Sequence, residues 1–172
     1  MKSLRLIALS ALLTVGAFST VLYTSCSKDA CSGVTCQNGG TCSGGNCTCP
    51  TGYEGTNCET KSITKFAKNW IATDKETSPK DTTIGPYAVI ITQGTTVTDA
   101  VISNTFSESF FTNSIKATIS GNTITIPSQA PDGDNYTVSG SGTYDATTSQ
   151  ITWTYSLTNP SNATISYKGT WQ

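Results

Sequence analysis

From residue 69 onward the chain alternates between apolar and polar positions with a period of two. In Ile151-Thr152-Trp153-Thr154-Tyr155-Ser156-Leu157 each odd position is large and apolar, and each even one carries a hydroxyl. The last segment sets Ile165, Tyr167, Gly169 and Trp171 against Thr164, Ser166, Lys168 and Thr170. Ile115, Ala117 and Ile119 oppose Ser114, Lys116 and Thr118, and Tyr136, Val138, Gly140, Gly142 and Tyr144 oppose Thr137, Ser139, Ser141 and Thr143. One apolar and one polar side per strand predicts half-buried antiparallel strands rather than a doubly covered parallel sheet. Turn-forming runs separate them at 120–122, 131–135, 147–149 and 159–162. Seven or eight strands are expected, near 69–73, 86–92, 97–106, 114–119, 122–126, 135–144, 150–158 and 163–172. Short connections make them a meander, closed as a barrel or folded as a sandwich. Ile63, Phe66, Ala67, Trp70 and Ile71 stand at helical spacing, so a short helical turn is expected to lead into the first strand.

The N-terminal part follows other rules. Lys2 and Arg5 precede an apolar stretch from Leu6 to Tyr23, the form of an export signal. All seven cysteines lie between 26 and 58. Six of them, Cys31, Cys36, Cys42, Cys47, Cys49 and Cys58, are spaced as a small disulfide-stapled module, and pairing at this density requires an oxidising compartment. A segment of 28 residues cannot bury enough apolar surface to fold unaided. Closing a loop of about 15 residues restricts the unfolded chain by roughly 3 kcal/mol, so three closures can stand in for a core.

The segments Cys36-Gln37-Asn38-Gly39-Gly40-Thr41-Cys42 and Cys47-Thr48-Cys49-Pro50-Thr51-Gly52-Tyr53-Glu54-Gly55-Thr56-Asn57-Cys58 resemble the epidermal growth factor-like module. The resemblance covers 31–58 and implies the pairing Cys31–Cys42, Cys36–Cys47 and Cys49–Cys58, which spacing alone cannot choose. Calcium-binding members carry an acidic pair before the first cysteine. Here Lys28-Asp29-Ala30 offers one carboxylate, so no metal and no cofactor are expected.

The seventh cysteine, Cys26, closes Leu22-Tyr23-Thr24-Ser25-Cys26, which resembles the lipobox of bacterial lipoproteins, with Tyr23 where leucine is usual. The resemblance implies cleavage after Ser25 and acylation of Cys26. With six thiols paired internally, acylation also gives the odd one a fate. Ser27-Lys28-Asp29 resembles the tag that directs some lipoproteins to the outer face of the outer membrane. The expected organisation is a signal over 1–25, a lipid-anchored linker over 26–30, the growth factor-like module over 31–58 and the β domain over 59–172. The expected location is the cell outer membrane, lipid-anchored and surface-exposed, with a secreted or periplasm-facing protein as the alternative.

Composition narrows the function. The net charge is −1, histidine is absent, and Arg5 is the single arginine. Nucleic-acid binding therefore lacks a basic face, and catalysis lacks the usual general base. Most carboxylates of the β domain, a set that includes Asp74 and Glu76, are expected in turns or on the polar side, solvated. Six aromatic residues, Tyr136, Tyr144, Trp153, Tyr155, Tyr167 and Trp171, share the inward face. They either line a cavity for an apolar or sugar-like ligand or fill a core. Phe66-Ala67-Lys68-Asn69-Trp70 ahead of a meander resembles the opening of lipocalin-type barrels, with Lys68 at the glycine position. A non-enzymatic envelope protein is expected, acting in binding or adhesion to a protein or glycan, with a lipocalin-like carrier of a small ligand as the alternative.

Overall fold

The computed structural model describes residues 30–103 and 110–172. The export segment, Cys26 and its lipobox, and positions 104–106 of the third expected strand lie outside the described residues.

The cysteine-rich segment forms two small hairpins, β1 (Thr41–Ser43) with β2 (Asn46–Thr48) and β3 (Tyr53–Glu54) with β4 (Thr60–Lys61). Its disulfides are Cys31–Cys42, Cys36–Cys47 and Cys49–Cys58, the pairing implied by the growth factor-like resemblance. A 3-10 turn over Ser62–Lys65 follows, shorter than the helix that the spacing of Ile63, Phe66 and Trp70 allows. Ile63 and Phe66 are buried from it, and Trp70 Nε1 donates to the Phe66 carbonyl at 2.8 Å.

Eight strands then close into an antiparallel barrel: β5 (Asn69–Ser78), β6 (Thr82–Gln93), β7 (Asp99–Ser103), β8 (Ile115–Ser120), β9 (Thr123–Gln129), β10 (Thr137–Asp145), β11 (Gln150–Thr158) and β12 (Thr164–Trp171). Every strand pairs with its sequence neighbours, and β12 pairs with β5, Trp171 lying opposite Ala72. Of the two architectures left open by the sequence, the meander forms the barrel. Closure removes both sheet edges and encloses the alternating apolar side.

Two strands run longer than the alternation suggests. β5 continues through Asp74-Lys75-Glu76-Thr77-Ser78, with positions 70, 72, 74 and 76 all inward. β6 begins at Thr82 and changes parity, because Ile84 faces partly inward and Tyr87, three residues on, is buried. The register between β5 and β6 shifts between Ala72 and Asp74, opposite Gly85-Pro86. Gly85 has φ +116°, and a Cβ there would lie 2.7 Å from the Ala72 carbonyl oxygen. This bulge turns both Ile84 and Tyr87 into the barrel.

The two ends of the barrel differ. At one end the 3-10 turn tucks Ile63 and Phe66 beneath the strands, with Tyr144 edge-on to Phe66 and Trp70. The cysteine-rich module covers this end. Ser62 N–H donates to the Gly52 carbonyl, and Lys65 Nζ joins Glu54 Oε2 (2.7 Å) to Asn122 Oδ1 (2.6 Å) in the β8–β9 turn. A Cβ at Gly52 would meet Val97 Cγ2 at 2.7 Å, so only glycine permits this approach. The opposite end is bordered by the turns after β5, β9 and β11 and by Phe110.

Candidate functional site

The middle of the barrel is solid. Trp153, Trp171, Ile151 and Ile124 are fully buried, and Trp153 leans on Trp171 with ring centroids 4.7 Å apart. Glycines make room for these rings. Gly142 and Gly169 lie directly opposite Trp153 on the flanking strands, and Gly140 lies opposite Tyr155. A Cβ at Gly142 would sit 2.7 Å from the Trp153 ring.

Towards the uncovered end the packing opens into a cavity of about 340 Å³. Its walls come from Ile84 of β6, Leu157 of β11 and Ile165 of β12, with Tyr155 and Tyr167 stacked along one side. Those two rings face each other across β11 and β12, 4.9 Å apart and inclined by 12°. Phe110, Tyr136 and Asn159 border the mouth. Phe110 is 49% exposed and packs edge-on to both Phe111 and Tyr136.

Asp74 lies at the inner end of this cavity, 1% exposed. The solvation expected for most of these carboxylates does not extend to Asp74 and Glu76, which continue the inward row begun by Trp70 and Ala72. Trp171 Nε1 donates to Asp74 Oδ1 at 3.2 Å, and the Tyr87 hydroxyl donates to Oδ2. Gly169 lies opposite Asp74 on β12, and a Cβ there would run into Oδ1. Burial pushes the Asp74 carboxyl above its ordinary range, against hydrogen bonds from Tyr87, Tyr155 and Trp171 that pull it down. Tyr155 is pushed far up, first by burial and then by the Asp74 charge, and so stays a neutral hydroxyl. Tyr167 is raised by burial, then by Glu76 and Asp74. Glu76, 9% exposed, accepts the Lys80 N–H at 3.0 Å and so fastens the β5–β6 turn.

Of the six aromatic residues named from the sequence, Tyr136, Tyr155 and Tyr167 line the cavity. Trp153 and Trp171 belong to the packed middle, and Tyr144 packs near the covered end. Trp153 Nε1 is buried with no hydrogen-bond partner among the described residues. Trp171 reaches the site indirectly, through its bond to Asp74. Asp74 and Tyr87 were not singled out by sequence reasoning, although Asp74 keeps the alternation of Trp70 and Ala72. Asp132, expected only as a turn residue, accepts the N–H groups of Thr112 and Asn113 at 2.8 and 2.7 Å. Those bonds hold its carboxyl below the usual range and tie the β7–β8 connection to the β9–β10 turn.

The arrangement is a concave, mainly apolar site with one buried polar anchor, which suits holding a small molecule. Among the described residues no second carboxylate lines the cavity beside Asp74. Compared with known proteins, the chain matches no family model and no curated sequence.

Proposed function

We propose that this chain is a lipid-anchored envelope protein whose barrel holds a small, mainly apolar ligand at its uncovered end. The observation that carries this reading is the cavity of about 340 Å³, apolar along its walls and polar at its inner end. Its size falls near the lower bound of ligand sites, roughly 300–1,000 Å³, which suits a compact molecule. A barrel of eight strands has an interior just wide enough to be filled or to hold one small ligand, and here one half is filled and the other is open. The carrier alternative therefore gains over adhesion. The growth factor-like module becomes a spacer between the acylated Cys26 and the barrel, and no chemical step is assigned to the protein.

The test is binding of a neutral fluorescent probe, N-phenyl-1-naphthylamine, by the full chain in lipid nanodiscs. An Ile165→Trp variant, which fills the cavity, serves as the blank for probe dissolved in lipid. Saturable 1:1 binding with a Kd of about 1–100 μM, absent from the blank, is the expected result. Equal signals from both proteins would overturn the carrier reading and return adhesion to first place. Cys26→Ala should release the protein from membranes; retention would mean that the apolar N-terminal run itself is the anchor.

A further inference from the structure

We propose that the ligand held in this cavity is a cationic amphiphile, a compact apolar body carrying a protonated amino group that seats against Asp74. This rests on the carrier reading above and names its ligand class.

Asp74 lacks a countercharge. Among the described residues it is the one charged residue lining the cavity, and the groups around it are neutral donors, Tyr87, Trp171 and Tyr155. Lys75 is the neighbouring cation in sequence, but it points out of the barrel and pairs with Asp81 at 2.7 Å. Lys168 lies opposite Lys75 on the same outer face. Buried carboxylates are normally paired, and an unpaired one is costly to keep. A ligand that brings the positive charge removes that cost when it binds.

Asp74 also has spare capacity. Two donors occupy Oδ1 and Oδ2, one each, and a carboxylate accepts about four hydrogen bonds. Gly169 lets Oδ1 pack against the β12 backbone, where any Cβ would displace the carboxylate.

Among the described residues the walls hold no competing cation. Tyr155 and Tyr167, stacked on each other, line the cavity beside Asp74. With Asp81 paired to Lys75, the turns at the open end leave Asp132 and Asp134 against Lys80, a balance that draws cations towards the mouth. An anion would meet the Asp74 carboxylate with no cation beside it among the described lining residues.

Three probes of one shape separate the possibilities: 2-phenylethylamine, 2-phenylethanol and 3-phenylpropanoate, titrated calorimetrically into the full chain in nanodiscs. The amine is expected to bind at least 10-fold more tightly than the alcohol, and the propanoate not at all. Asp74→Asn should erase the difference between amine and alcohol. Should that variant fail to fold, the wild-type protein supplies a second readout. Lowering the pH protonates Asp74, so affinity for the amine should fall while affinity for the alcohol holds. The groups facing Asp74 are Tyr87 of β6, Tyr155 of β11, and Tyr167 and Trp171 of β12, with Glu76 further along its own strand. Tyr155 and Tyr167, both pushed up from the ordinary tyrosine value, do not titrate over that range, and Trp171 carries no titratable group. A Glu76→Gln control that keeps the pH dependence assigns it to Asp74, and one that abolishes it overturns the role of Asp74. Equal or tighter binding of the alcohol, or no binding of any of the three while N-phenyl-1-naphthylamine binds, overturns the cationic ligand and leaves the carrier. Failure of the naphthylamine as well overturns both.

Discussion

At the scale of single residues, Asp74 sets a stability cost against a binding capacity. Its carboxyl titrates higher in the folded chain than in the unfolded one, because burial disfavours the charge more than its donors favour it. The folded state therefore holds the proton more tightly. The resulting stability is complete below the ordinary aspartate range, near 3.8, and is lost as pH rises through the higher folded value. At neutral pH the ionised Asp74 is a liability, and Asp74→Asn is expected to raise the melting temperature at pH 7. The gain should shrink towards pH 4, as measured by thermal unfolding of both proteins across that range. Asp132 and Asp145 have the opposite sign, since backbone N–H groups hold them low, but they are common to both proteins and drop out of the comparison. A variant that melts lower at pH 7 would mean that the bonds from Tyr87 and Trp171 outweigh desolvation. Gly169→Ala belongs beside it. Its Cβ would push the carboxylate off both donors, and a cost of about 1–3 kcal/mol is expected, with a raised denaturant midpoint excluding the crowding. Asp74 was readable in principle, since it continues the row of Trp70 and Ala72. It was missed because a charge at an inward position breaks the match between polarity and face, and such breaks concentrate at functional sites.

At the scale of elements, the bulge in β6 decides what the cavity contains. A strictly alternating strand could not aim both Ile84 and Tyr87 inward, and Gly85-Pro86 supplies the extra residue that does so. The sequence-based strand begins at 86 for the same reason: the period of two fails across the bulge, so 82–85 read as a connection. β11 and β12 hold their alternation without interruption, and their limits were legible to within a residue. Gly85→Ala is expected to cost about 1–3 kcal/mol, from a φ that L side chains resist and from contact with the Ala72 carbonyl. Urea unfolding gives the loss. The same variant should also weaken probe binding, because a displaced Tyr87 no longer reaches Asp74. An unchanged affinity would mean that β6 positions neither Tyr87 nor the carboxylate for the ligand.

At the scale of the whole molecule, two parts of different construction share one contact surface. The barrel has no cysteine, and its strands pair in sequence order, so short turns made the meander legible. Its closure was not legible, because the bond from Trp171 to Asp74 joins residues 97 apart and no local pattern announces it. The module was legible through its spacing, yet its docking on the barrel was not. That contact depends on Gly52 reaching Val97 and on Lys65 bridging Glu54 and Asn122, residues that no local pattern brings together. Reduction separates the two parts. Each disulfide closes a loop of 9 or 11 residues, worth about 2.5–3 kcal/mol, and without them so short a segment has no core to fall back on. The barrel keeps its own, from Trp70 to Trp171. With a phosphine reductant present, the barrel should therefore remain folded, with its β-sheet circular dichroism intact. Its melting temperature should drop by a few degrees, reflecting a lost ion pair and bridge of about 1 kcal/mol. Lys65→Met in the oxidised protein should produce most of that drop by itself, and little further drop should follow reduction of the variant. Simultaneous collapse of both parts on reduction would instead make the module part of the barrel's folding unit, and its place as a separate spacer would be lost.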